Sequence, residues 1–290
     1  MSIKIESLKN KLRRKTSPSL GIYIHIPFCR VRCKFCSFYV QIYQKENVQA
    51  FLKGLHREMQ IYGQEIGLKT IPVTSIYFGG GTPTVLSANQ LTQALRKLNK
   101  CFMVSSDVEV SIEAHPGTIS PNDLKVLHSG GFNRLSVGAQ SFNDNELRQL
   151  SGRSASKDSK IAVESARKTG LENINLDLMY GFPGHSIEAW KKTLKSTISL
   201  KPTHLSCYAF TVEENSQFHS QVNNGIVSQP DEALQFRLGV FAKEFLEGVG
   251  YEQYEISNFC KPGFACQHNL RYWQGGSYLG FGPSAQSFVS

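Results

Sequence analysis

Nowhere in these 290 residues does an apolar run approach the roughly 18 residues of a membrane-spanning helix, so no such helix is expected. The first fifteen residues lack the apolar core of a secretory signal, and export is not expected either. An even, regularly spaced set of cysteines is also missing. The seven present argue against a disulfide framework and for a reducing compartment, here read as the cytoplasm. No internal repeat and no low-complexity segment is visible. Acidic residues are scarce: 23 Asp and Glu stand against 32 Lys and Arg, for a formal charge of +9. Much of the excess lies in Lys4, Lys9, Lys11, Arg13, Arg14 and Lys15, opposed only by Glu6, so residues 1–19 read as a basic, flexible, solvated tail. An organelle-targeting role for it carries less weight. The remaining basic residues are scattered, so no nucleic-acid surface is expected, while a polycarboxylate substrate needs only a few of them. What remains is an ordinary soluble composition, 40% hydrophobic, long enough for one large core or two modest ones.

The cysteines that are present are unevenly placed. Cys29, Cys33 and Cys36 form a Cx3Cx2C run between Arg30, Arg32 and Lys34. Three thiolates on one loop suit a four-iron cubane with one iron left open to a small molecule, a cluster that does chemistry. A structural zinc site takes four ligands, usually as separated pairs, and Cys260 and Cys266 stand six positions apart. Buried apolar thiols are the plain alternative, but so many within eight residues favour the cluster.

From residue 21 onward, short apolar runs alternate with amphipathic ones. Strands are expected at Gly21–Ile26, Val73–Phe78, Val108–Ile112, Arg134–Val137, Ile174–Met179 and His204–Phe210. Between them, helices are expected over 48–62, at Ala88–Leu98, at Pro121–Leu127 behind Ser120 as N-cap, and at Asn145–Leu150, Lys157–Lys168 and Ile187–Leu200. Such alternation implies a parallel sheet with crossover helices, in fewer units than the eight of a closed barrel. In barrels of this kind, active residues sit at the carboxyl ends of strands. Cys29, Gly80, Glu113, Gln140 and Asp177 all fall there. After residue 211 the pattern changes to a helix at Asp231–Glu247, a strand at Tyr251–Phe259, and a Gly/Ser-rich end from Gly275 with no obvious module.

Several motifs occur in a fixed order: Tyr23–Cys29, Phe78-Gly79-Gly80-Gly81-Thr82-Pro83-Thr84, Ile112-Glu113-Ala114, Gly138–Phe142, Asp177–Gly181 and His268-Asn269-Leu270-Arg271-Tyr272-Trp273. With the cysteine run, they resemble the radical S-adenosylmethionine (SAM) superfamily. More closely, they resemble its oxygen-independent coproporphyrinogen III oxidases and their heme-chaperone relatives of the HemW family. The resemblance covers the chain from about residue 20 to its end. It implies a partial (β/α)6 TIM-like barrel over residues 20–211. Residues 212–290 are then the start of a C-terminal extension packing on the barrel, expected to be truncated before the usual helical C-terminal domain.

By that resemblance, Cys29, Cys33 and Cys36 hold a 4Fe-4S cluster whose open iron binds SAM, and the reduced cluster splits SAM to start radical chemistry. Gly80, Gly81 and Thr82 are expected at the methionyl end of SAM, because glycine lets a ligand approach the backbone closely. A side chain at Gly80 is then expected to weaken SAM binding and leave the cluster intact. Glu113 and Asp177 are expected to contact the charged amino acid or the ribose, and Gln140 and Arg153 to be further polar contacts. Tyr23 is expected to contact SAM near the cluster, and Phe35 to lie in the adenine region. His25 reads as a hydrogen-bonded structural residue rather than an iron ligand. His268, in its aromatic motif, is the expected heme contact, since imidazole is a usual axial ligand of heme iron.

The resemblance implies a protein that binds cluster and SAM and handles heme, with a heme-recipient protein and an electron donor as partners. The alternatives are a coproporphyrinogen III oxidase, acting by oxidative decarboxylation, and an inactive heme-binding or interaction protein on the same fold. Phe38 stands where the oxidases usually carry a fourth cysteine, which favours the chaperone branch. Gln286 replaces a frequent histidine, and His115 a common asparagine. These departures bear on substrate rather than on cluster or SAM.

Overall fold

A computed structural model describes residues 19–151 and 155–289. The expected basic tail up to residue 18 and Arg153 lie outside the described residues. In chain order the strands are β1 (Leu20–Ile26), β2 (Phe28–Cys29), β3 (Gln41–Ile42), β4 (Val73–Gly80), β5 (Val104–Ala114), β6 (Arg134–Gln140), β7 (Asn173–Tyr180), β8 (His204–Ala209), β9 (Glu252–Gln253), β10 (Asn258–Cys260) and β11 (Tyr278–Phe281). A nine-stranded sheet runs in the order β11-β1-β4-β5-β6-β7-β8-β10-β9. Every pairing from β11 to β8 is parallel, as crossover helices require. The sheet's two ends, β11 and β9, do not pair with each other, so the barrel is partial.

The six expected βα units are present, with the first five strands longer than the apolar runs suggested and the sixth one residue shorter. Their helices start where side chains satisfy the free N–H groups. Ser87 and Ser120 each complete a capping box, Ser186 caps Ile187–Ser199, and Asp231 caps Glu232–Gly248. The helices pack on one face of the sheet because strand residues alternate. Leu20, Ile22, Ile24 and Ile26 of β1 are at most 1% exposed and share one core with Leu91, Leu95 and Leu98 of the helix Ala88–Cys101.

The region after residue 211 departs from expectation in two places. The strand expected at Tyr251–Phe259 is a hairpin: β9 and β10 pair antiparallel, with Phe259 opposite Gln253. Between them the hydroxyl of half-buried Tyr254 lies 2.8 Å from His204 Nε2. The Gly/Ser-rich end is not featureless either. The helix Gln267–Trp273 is followed by β11, which joins the sheet beside β1.

Candidate functional site

Across the sheet the interior-facing residues are polar. Register places Tyr23 beside Tyr77 and His25 beside Gly79, then Glu113 beside Ser136, Ser136 beside Asn175, and Asp177 beside Ser206. Each of these residues alternates with an apolar neighbour facing the helices, such as Ile112, Leu176 or Leu205. Of the expected site residues, Tyr23, Glu113 and Asp177 therefore share the cup of the sheet.

The cluster loop leaves β1 and folds over the end of β4. Gly81 N–H donates to Ile26 O and Thr82 N–H to Phe28 O, both at 2.8 Å. Thr82 Oγ1 lies 3.5 Å from Cys29 Sγ. Arg32 donates twice to the Cys36 carbonyl, at 3.3 and 3.2 Å, and Cys36 N–H to the Cys33 carbonyl at 3.2 Å. Cys29, Cys33 and Cys36 are free thiols. Burial raises their pKa values, Cys33 to about 12, and at Cys33 the neighbouring thiolates Cys36 and Cys29 add repulsion. Deprotonating them together requires cationic compensation, which a metal centre supplies. No set of three or more His, Cys, Asp or Glu among the described residues is gathered to hold one metal ion. A cubane takes each thiolate at a different iron, so this donor set fits a cluster and not a single ion.

Gly80 has φ +108°, and a Cβ there would lie 2.6 Å from the His25 ring. A Cβ on Gly81 would lie 2.7 Å from Phe28 O. These glycines thus first let the cluster loop rest on β4. Substitution at Gly80 reaches His25, whose Nε2 donates to the Tyr39 carbonyl within that loop at 3.0 Å. This contact argues against the expectation that such a change spares the cluster. His25 is hydrogen-bonded on both ring nitrogens, with Tyr23 OH 3.2 Å from Nδ1.

Glu113 accepts from Tyr77 OH at 2.9 Å and from Gly80 N–H at 3.2 Å. Burial, and then the nearby Asp177 charge, raise its pKa to about 7. Asp177 lies within β7 rather than after it. It accepts from Ser136 Oγ at 2.9 Å and Asn175 Nδ2 at 2.8 Å, and burial raises its pKa as well. Two enclosed, hydrogen-bonded carboxylates suit a cationic ligand, and SAM carries a sulfonium and an ammonium. Gln140 sits at the end of β6 with φ +56°, a conformation rare for a residue with a Cβ. Its buried Oε1 has no hydrogen-bond partner among the described residues. An orphaned acceptor at the rim of the cup fits a polar ligand contact. Phe35 packs with Leu150, Phe182, Phe210 and Phe218, a small apolar cluster at the same rim.

His268 lies elsewhere than expected for a heme ligand. It is 1% exposed, with Nδ1 3.0 Å from Ser75 Oγ and Nε2 3.0 Å from Tyr272 OH. Its ring stacks on Tyr77 and Tyr23, and burial lowers its pKa to about 3. A macrocycle has no access to either ring nitrogen in this arrangement. Arg271 of the same motif donates to Ser19 O at 3.0 Å and Thr74 Oγ1 at 2.5 Å, pinning its helix to the amino ends of β1 and β4. The motif acts here as a plug. His115 accepts from Gly117 N–H at 3.2 Å, an ordinary capping role, and Phe38 is 66% exposed.

Sequence reasoning missed the network behind Asp177. His204 Nδ1 donates to Asn175 Oδ1 at 2.7 Å and Ser206 Oγ to the same atom at 3.2 Å, while Tyr254 OH meets His204 Nε2. It also missed Arg134, 1% exposed at the start of β6. The available signal was the strict polar–apolar alternation of Asn173–Leu178 and His204–Cys207.

A model of the radical SAM superfamily matches residues 23–197. The chain is 36% identical over 268 residues to the heme chaperone HemW of Bacillus subtilis (strain 168), covering 92% of this chain and 70% of that protein. To the Escherichia coli (strain K12) heme chaperone HemW it is 35% identical over 278 residues, covering 94% and 71%. Among solved structures it is similar to coproporphyrinogen III oxidase from Escherichia coli, described as a radical SAM enzyme. That match has a TM-score of 0.84 at 26% identity and covers 98% of this chain and 68% of that one.

Proposed function

Because the chain belongs to the radical SAM superfamily and, within it, to the heme chaperone HemW family, we propose that it binds heme and passes it to a recipient protein. The superfamily brings a 4Fe-4S cluster and SAM, and together these supply reductive cleavage of SAM when bound. In this reading Cys29, Cys33 and Cys36 hold the cluster. Thr82, Gly80 and Gly81 shape the methionyl end, and Glu113 and Asp177 face the cationic groups of SAM. Gln140 and Tyr23 complete the polar and stacking contacts, Phe35 lies toward the adenine, and Arg153 belongs to the same set. His268 supports the floor of the cup rather than ligating heme iron. An electron donor is a further proposed partner. No helix among the described residues is long and apolar enough to cross a membrane, and free cysteines suit the cytoplasm.

Identity of 36% over 92% of the chain to a heme chaperone carries this reading. The coproporphyrinogen III oxidase reading is favoured by the structural likeness alone, at 26% identity. Anaerobic cluster reconstitution tests both, followed by heme titration and by an assay for protoporphyrinogen formed from coproporphyrinogen III. Stoichiometric heme uptake without porphyrin product is the expected result. Product formation without heme uptake overturns it in favour of the oxidase, and neither activity leaves the inactive interaction protein.

A further inference from the structure

Among the described residues, Arg134 is the one buried lysine or arginine, and its Nε and Nη1 have no hydrogen-bond partner there. Its register neighbour Ser111 is also fully buried, with an unpaired Oγ. A bare guanidinium in a protein interior is strongly unfavourable unless opposite charge or ordered water compensates it. The sheet register shows which groups lie above it. Arg134, Ser136 and Gly138 face the same side of β6. Ser136 stands beside Glu113 on β5 and donates to Asp177 on β7. Arg134 therefore lies one layer beneath Glu113 and two layers beneath Asp177, which is level with Gly138.

Other groups also face it. Tyr77 from β4 and Glu109 from β5 lie within its field, as do Tyr254 and Cys266 from the C-terminal segment, with neutral His204 on β8 and His268 beyond. Glu109 is already engaged, because its Oε1 accepts from Gln267 N–H at 2.9 Å and from Cys266 Sγ at 3.4 Å. The Arg134 charge also acts to lower the pKa values of Glu113 and Asp177, against the burial that raises them.

We propose that Arg134 is a positioning residue for SAM: it is the buried counter-charge that favours the ionised, ligand-facing form of Glu113 and Asp177. The inference rests on the SAM site of the proposed function. It is tested on cluster-loaded protein, at matched iron content, by equilibrium dialysis of labelled SAM. Arg134→Met is expected to weaken SAM binding about tenfold, the equivalent of one pKa unit at a carboxylate. Arg134→Lys, which keeps the charge, is expected to restore most of it. In a Glu113→Gln background, Arg134→Met should cause a smaller further loss, the part that acts through Asp177. Additive losses, or unchanged affinity in folded Arg134→Met, overturn the proposal. If Arg134→Met does not fold, the double variant Arg134→Met/Glu109→Gln decides, since it removes the cation without stranding Glu109. Affinity equal to the parent's means that Arg134 serves Glu109 alone, and a loss of about tenfold upholds the proposal. Absence of SAM binding by the parent is a different result, and it overturns the SAM site itself.

Discussion

Tyr77 donates its hydroxyl to Glu113 across 2.9 Å, holding one carboxylate oxygen while Gly80 N–H holds the other. The acid is thereby fixed in direction, yet burial keeps its pKa near 7.

Stability and binding should consequently respond to pH in opposite senses. A carboxyl raised from 4.5 to about 7 favours its protonated form in the folded state. The stability it contributes is full below its ordinary value and is lost as pH rises toward 7. Glu113→Gln should flatten the fall in melting temperature of the cluster-free protein between these values. SAM affinity, which needs the carboxylate, should increase through the same range. A SAM-binding profile flat from pH 6 to pH 8 would show that Glu113 does not face the ligand's positive charge.

Replacing Cys29, Cys33 or Cys36 by alanine should abolish cluster assembly, measured as iron and sulfide per chain. The same change at Cys101, Cys207, Cys260 or Cys266 should not, because those thiols lie away from the loop and the last three are buried. Full cluster content in Cys33→Ala would remove the loop as the cluster's seat.

Gly80→Val should lower both SAM binding and cluster content. The new side chain meets the His25 ring in a backbone conformation with φ +108°, a strain of about 1–3 kcal/mol. Relief requires His25 to release the Tyr39 carbonyl, and with it the cluster loop. Normal iron content alongside lost SAM binding would show that the loop does not depend on this contact.

His268→Ala should act through stability. Removing the ring leaves the buried Ser75 Oγ without its partner, at about 1–3 kcal/mol, and also frees Tyr272 OH, on a residue that reaches the surface. Urea unfolding should show that loss, while heme spectra of the folded variant stay unchanged. Altered heme ligation with unchanged stability would mean that His268 leaves the floor of the cup to bind iron.

The local features of this protein were legible in its sequence because their causes are local. Cysteine spacing placed thiols on one loop, Ser120 marked a helix start, and short apolar runs between amphipathic ones marked the six parallel strands. Glu113, Gln140 and Asp177 could be assigned to one end of a sheet from strand position and motif together. Residues whose meaning depends on distant partners could not be read this way. His268 stands among aromatics in the chain, as a heme ligand would. Only the fold brings Ser75, 193 positions away, to one ring nitrogen and closes both nitrogens to iron. Gly80 looked like room for a ligand until the pairing of β1 with β4 set His25 against it. Arg134 looked like an ordinary charged residue at the start of a strand. Strand order and register, set by pairing between distant segments, buried its charge beneath two carboxylates, and no spacing along the chain encodes that electrostatic relation.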